Sequence, residues 1–149
     1  MKKKLIIIGN GLFAELAYVY FEKHSIYKVI SFACDKSFIK EKTLFNIPII
    51  EIKDVIDNFS PKKYFIFIAI GYRNLNKIRE KLFHYFDNIG YKFANFIHPS
   101  IEKWESNLID KNNFIFENKL IQPFVILGDN NIIWSGNHIG HHTKIGNHN

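Results

Sequence analysis

The stretch that decides the fold is IDKNNF-IFENKL-IQPFVI-LGDNNI-IWSGNH-IGHHTK-IGNHN, residues 109–149, broken here into sixes. Ile109, Ile115, Ile121, Leu127, Ile133, Ile139 and Ile145 head the successive groups, and Gly128, Gly140 and Gly146 directly follow three of them. A helix repeats about every 3.6 residues and a half-buried strand every two, so neither imposes such a period. A parallel β-helix with triangular coils does: each short side takes one hexapeptide and turns its aliphatic residue into a narrow core. Three sides close a coil, so residues 109–144 supply about two coils and 145–149 open a third. A solenoid needs roughly three or more repeats and a capped end. The expectation is therefore a truncated form of a longer solenoid. The alternative is a stub completed by packing against other subunits.

Upstream the pattern is different. Leu5–Ile8 is a continuous apolar run ending at Gly9, the mark of a strand buried on both faces. Gly11–Lys23 has helical content, and 27–35 (YKVISFACD) reads as a second strand. A short strand at 46–52 and a short helix at 53–59 follow, and KYFIFIAIG (63–71) is the strongest strand signal in the chain. Arg73–Asn88 predicts an amphipathic helix with Leu75, Ile78, Leu82, Phe83 and Phe86 on one face, and 91–99 predicts a last strand closed by His98-Pro99. This alternation predicts an α/β domain with a Rossmann-like parallel sheet over 1–100, followed over 101–149 by the start of a left-handed parallel β-helix.

Composition agrees with a folded chain. Of 149 residues, 47% are apolar and 16% aromatic, enough to bury a core. No run reaches the roughly 18–20 apolar residues of a membrane helix, and the Lys2–Ile8 opening lacks the cleavage site of a signal peptide. The single Cys34 excludes an internal disulfide and fits a reducing, cytoplasmic setting. The net charge of +6 suggests an anionic partner, but the basic residues are scattered rather than striped. That favours a phosphorylated small molecule and predicts neither a nucleic acid nor a membrane as partner.

Gly9, Asn10 and Gly11 form a G-x-G-x-x-A turn between strand and helix, where free N–H groups can meet a phosphate, although a glycine-rich turn after a first strand is often just a turn. Asp35 ends the second strand, where such folds often place an acid facing a ribose or base, although a surface aspartate reads the same way. Gly71, Tyr72 and Arg73 follow the strongest strand, and Arg73 is either a phosphate ligand or a solvated helix start. His138, His141, His142 and His148 crowd the last dozen residues. No cysteine accompanies them, and neighbouring His141 and His142 point to opposite faces of an extended segment, so no metal site is expected. Solvent-facing decoration and general base remain the two readings.

Taken in order, the strand–GNG–helix opening, FIAIGYRNLNKIR (67–79), FANFIHPS (93–100) and the repeat containing NHIGHHTKIG (137–146) resemble the PglD-like (NeuD-like) nucleotide-sugar acetyltransferases over essentially the whole chain. The resemblance implies a trimeric enzyme that moves acetyl from acetyl-CoA to an amino group on a nucleotide-linked 4-amino-4,6-dideoxysugar, with UDP or dTDP as the nucleotide, in bacterial glycan synthesis. It implies His141 as the catalytic base. The family's next position is often an acid that orients the base; here it is His142, a departure. His138 would line the sugar pocket, Gly9, Asn10 and Gly11 would wrap the phosphates, Asp35 would sit near the nucleobase, and Gly71, Tyr72 and Arg73 would form a second phosphate-side loop. His98-Pro99 would be architectural. Family members run on for several more coils that build most of the coenzyme A groove. Two other readings stand beside the N-acetyltransferase: a nucleotide-sugar-binding remnant without transferase activity, and a sugar O-acetyltransferase. An NAD(P)-binding protein would leave the six-residue repeat without a role.

Overall fold

Leu5, Ile6, Ile7 and Ile8 are fully enclosed, because their strand lies inside a sheet covered on both faces. The computed structural model describes residues 2–149, and its contacts divide the chain into two units, Met1–Ala94 and Asn95–Asn149. In the first unit the chain runs β1 (Lys3–Ile8), α1 (Leu12–His24), β2 (Tyr27–Cys34), β3 (Thr43–Leu44), β4 (Ile47–Glu51), α2 (Ile52–Asn58), β5 (Phe65–Ile68), α3 (Lys77–Ile89) and β6 (Lys92–Phe93). The sheet order is β3-β4-β2-β1-β5-β6, parallel throughout except for β3. The order reverses between β1 and β5, the switch point that opens a crevice at the carboxyl ends of a doubly wound sheet.

Helix α1 buries Ala14, Ala17 and Phe21, three and four residues apart. Phe21 meets Phe67 of β5 edge-on at 5.1 Å between ring centres. Burying a phenylalanine contributes about 1.5–3 kcal/mol. Helix α3 ends at Gly90 (φ 93°), whose N–H returns to Asp87 O while Tyr91 N–H returns to Phe86 O.

The second unit is a three-sided parallel solenoid. Its strands are two-residue steps: β7 (Phe96–Ile97), β8 (Leu108–Ile109), β9 (Phe114–Ile115), β10 (Leu120–Ile121), β11 (Ile126–Leu127), β12 (Ile132–Ile133), β13 (His138–Ile139) and β14 (Lys144–Ile145). They form three sheets, β7-β9-β12, β8-β11-β14 and β10-β13, all parallel. The aliphatic residues that head the sixes share one core cluster.

Between strands the chain turns at Asn112, Asn118, Phe124, Asn130, His142 and His148, with φ between 54° and 64°, and at Gly136. These left-handed corners also recur every six residues, and asparagine tolerates that conformation best after glycine. Stacked coils are stitched by side chains 18 residues apart. Asn95 Oδ1 accepts from Asn113 N–H, Asn113 Oδ1 from Asn131 N–H and Asn131 Oδ1 from Asn149 N–H, at 2.8, 2.9 and 2.8 Å. Phe96 on Phe114 and Phe116 on Trp134 stack with the same spacing, both at 4.6 Å.

Two elements differ from expectation. Helix α3 begins at Lys77, not Arg73, because Asn74, Leu75 and Asn76 take left-handed conformations (φ 54°, 50° and 64°). Leu75 therefore stands 88% exposed rather than on the core face. The stretch 91–99 is two strands, not one: β6 pairs with β5 in the first sheet, whereas β7 pairs with β9 in the solenoid. Asn95 marks the change, its side chain already accepting the Asn113 N–H of the next coil.

Candidate functional site

A pocket of about 500 Å³ opens at the switch point of the first unit. Gly9, Asn10 and Gly11 after β1, Asp35 after β2, and Gly71, Tyr72 and Arg73 after β5 all line it. The sheet's topology brings together seven residues from three separate loops.

Gly9 is required by geometry. Its φ is 123°, and a Cβ there would lie 2.6 Å from the Ala69 carbonyl oxygen. The tight pass lets Gly9 N–H bond Ala33 O at 2.7 Å while Ala69 N–H bonds Ile8 O at 2.8 Å, locking the three strand ends side by side. Gly11 is different: a Cβ there would meet nothing within 4 Å, so the free space belongs to the pocket. Gly11 precedes α1 in extended conformation and no side chain caps the helix. The positive end of the helix dipole therefore faces a cavity, an arrangement suited to an anion.

Asn10 donates from Nδ2 to Phe38 O at 2.8 Å, tying the first loop to the turn after β2. Beneath the third loop Arg79, 1% exposed, reaches Ile70 O from Nη1 at 3.4 Å. Burial draws its pKa down to about 10, so it remains cationic at neutral pH. Exposed Arg73 and Asp35 give the rim one charge of each sign. The apolar wall was not legible beforehand: Cys34, Phe38, Ile52, Ile70, Ile78 and Leu82 line the pocket, and no motif marks them. Phe38 and Tyr72 are 59% and 81% exposed, flat surfaces available to a planar ligand group.

The histidines belong to the solenoid. His138 is exposed on β13, in register with Leu120. His141 and His142 form the next corner, and here expectation is corrected. They do not point apart, because His142 has φ 60° and turns its ring back, placing its Nδ1 3.0 Å from His141 Nδ1. His142 stacks on Phe124 one coil earlier, 4.7 Å between centres and 26° between planes. Gln122 Oε1 accepts from His141 N–H at 2.9 Å. His148 takes a left-handed corner, its Nδ1 2.8 Å from Asn130 Nδ2. Lys119, behind the corner at Asn118, donates to the Trp134 carbonyl, and burial draws its pKa down to about 8 against the opposing pull of Glu117.

A doubly wound sheet with an open helix N-terminus at its switch point, joined in sequence to a three-sided solenoid, defines a class in which a nucleotide-type domain precedes a β-helix. The chain belongs to the PglD N-terminal domain family, whose model matches residues 4–86. Among solved structures it is similar to the acetyltransferase domain of PglB from Neisseria gonorrhoeae, with a TM-score of 0.81 at 21% identity, covering 98% of this chain and 69% of that one. It is also similar to a mutant perosamine N-acetyltransferase from Caulobacter crescentus in complex with CoA and GDP-perosamine, with a TM-score of 0.78 at 20% identity, covering 96% of this chain and 65% of that one. The PglB domain in complex with acetyl coenzyme A matches likewise, with a TM-score of 0.80 at 19% identity, covering 98% of this chain and 68% of that one. These likenesses establish the shared fold. No curated protein sequence matches the chain. Among the described residues, no helix is long and apolar enough to cross a membrane.

Proposed function

We propose that the protein is an acetyl-CoA-dependent N-acetyltransferase acting on a nucleotide-linked 4-amino-4,6-dideoxysugar. One observation carries the reading: seven of the eight residues expected to hold the nucleotide sugar line one pocket whose floor is an uncapped helix N-terminus, the eighth, His138, lying on β13 of the solenoid. Gly11 and the α1 amides bind the diphosphate, Arg73 neutralises it, and Asp35 with the flat faces of Phe38 and Tyr72 holds the nucleoside. Two neighbours of the same fold, solved with GDP-perosamine and CoA or with acetyl coenzyme A, support this choice of acceptor and donor.

His141 is the base. Its imidazole takes the proton from the sugar ammonium, and the freed amine attacks the thioester carbonyl. The resulting oxyanion is stabilised by backbone N–H groups. Collapse breaks the carbon–sulfur bond, the imidazolium returns its proton to the departing thiolate, and the new amide nitrogen sheds its remaining extra proton through the freed imidazole to solvent. His138 contacts the sugar. The working form is a homotrimer, and a cytoplasmic setting suits Cys34, buried and outside any disulfide.

Isothermal titration with UDP-, dTDP- and GDP-linked 4-amino-4,6-dideoxysugars, with acetyl-CoA titrated in parallel, tests the reading. Micromolar binding of one nucleotide sugar, lost in Arg73→Gln, is the expected result. A folded protein that binds none of the three refutes it. Acetylated product that carries an O-acetyl ester would replace the amine by a hydroxyl as nucleophile.

A further inference from the structure

We propose that Gln122, Phe124 and His142 form an uncharged cradle that holds His141 with its Nε2 unprotonated, a neutral imidazole standing where the family often has an acid. This rests on His141 being the base. The approach of His141 Nδ1 to within 3.0 Å of His142 Nδ1 carries the inference. Two nitrogens that close need one proton between them. Two neutral imidazoles supply it when one ring presents Nδ1–H and the other a bare Nδ1. With His141 as donor, its single ring proton is spent on Nδ1 and Nε2 is left bare, the form a base requires.

The surroundings fix that pairing in space. The rings of His141 and His142 meet at 89° with centres 5.1 Å apart. Phe124 is a flat shelf beneath His142, and both occupy left-handed corners, so the shelf and the ring are in register by construction. Gln122 pins the His141 backbone from the same lower turn. Neither residue carries a motif of its own. Their significance comes from the coil spacing, which places Phe124 beneath His142 and Gln122 beneath the Gly140–His141 step.

Charge separates this cradle from a carboxylate. The supporting turn, Gln122-Pro123-Phe124, has no ionisable group. One coil lower, Ser106 Oγ accepts from Phe124 N–H at 3.1 Å, and Glu105 precedes it; Lys144 lies two residues past His142 on the same strand end. A carboxylate beside His141 would stabilise its imidazolium, whereas a neutral ring does not. One extra proton on the pair silences the base whichever ring takes it. On His141 it occupies Nε2. On His142 it turns Nδ1–H toward His141 Nδ1, so His141 must carry its own proton on Nε2.

Ring-nitrogen NMR of the intact chain, at a pH where both imidazoles are neutral, reads the His141 tautomer directly. Three proteins are compared: wild type, H142N, whose carboxamide oxygen can accept from Nδ1–H, and H142G, which has no acceptor. Asparagine and glycine both accommodate the positive φ, so the corner is kept. The cradle predicts a bare His141 Nε2 in wild type and H142N, and a shift toward Nε2–H in H142G. In acetyl transfer, kcat falls roughly 10- to 100-fold in H142G with KM for the sugar unchanged, part of the 100- to 10,000-fold a positioned base contributes. H142D moves the acid limb of the rate profile to higher pH by about one unit or more. A wild-type His141 protonated on Nε2, or a tautomer identical in wild type and H142G, overturns the proposal. The expected tautomers in a protein that transfers no acetyl group would uphold the cradle and remove His141 from the role of base.

Discussion

Replacing Gly9 and Gly11 by alanine, one at a time, separates what the first loop does for folding from what it does for a ligand. At Gly9 the new methyl would sit 2.6 Å from Ala69 O and 3.2 Å from Ile70 Cδ1, on a backbone with φ 123°. Holding a non-glycine residue there costs about 1–3 kcal/mol, and forcing the strand ends apart adds about 1–3 kcal/mol. The sum, about 2–6 kcal/mol, is a large share of a small domain's stability of roughly 5–15 kcal/mol. At Gly11 the methyl meets no protein atom and φ is −93°, so stability stays within about 0.5 kcal/mol. The methyl instead occupies ligand space. Losing one charge-assisted hydrogen bond to a phosphate costs about 1.5–3 kcal/mol, roughly 10- to 150-fold in affinity. The assay needs two probes. Among the described residues, all three α-helices lie in the first unit and both tryptophans, Trp104 and Trp134, in the second. In urea, helical circular dichroism follows the sheet domain and tryptophan fluorescence follows the solenoid. Gly9→Ala should lower the helical midpoint, and Gly11→Ala should leave it alone while weakening nucleotide-sugar binding. Equal midpoints for the two variants would refute the steric account of the turn.

Two more outcomes follow from buried groups. Asn113→Ala leaves the buried Asn131 N–H without its 2.9 Å acceptor, costing roughly 1–3 kcal/mol, while Gly128 O loses the Asn113 Nδ2 bond but keeps the one from Asn131 Nδ2; the loss should register in tryptophan fluorescence, and an unchanged midpoint would show the ladder to be incidental. Burial, with the neighbouring Asp35 carboxylate adding to it, pushes the Cys34 thiol up to about 11. Thiolate is then scarce at neutral pH, and iodoacetamide should label native Cys34 on the order of 100-fold more slowly than an ordinary thiol, accelerating as pH rises toward that value. Rapid labelling of the folded chain would contradict the buried placement.

Much of this architecture is legible in residue order because two periods dominate it. The apolar runs ending in glycine mark β1 and β5 without ambiguity, since a strand buried on both faces must be apolar throughout. Loops of small and polar residues at the ends of apolar strands, such as Gly9 to Gly11 and Gly71 to Arg73, could be located and then assembled into one pocket by the topology of a parallel sheet. The pocket's apolar wall could not, because Phe38, Ile52 and Ile78 look like any core residue until the fold leaves them facing a cavity. The left-handed turn at 74–76 escaped for a related reason: Leu75 keeps the helical spacing but not the helix. At the histidine corner, an extended backbone was the wrong premise. Seen with the other corners, His142 occupies the slot taken by Asn112, Asn118 and Asn130, a regularity hidden because phenylalanine and histidine fill it too.

The 18-residue offset between bonded asparagines makes the solenoid a counting device. Removing a single residue between Ile109 and Ile145 would move every later aliphatic side chain off the core and every later corner off its turn, and the damage would extend to the end of the coil stack. Removing a block of 18 would instead delete one storey, setting Asn95 beneath a residue equivalent to its old neighbour. Length variants of such a chain should therefore survive in steps of whole coils, with smaller insertions accepted only where the chain bulges outward at an exposed corner such as Asn118 or Gly136.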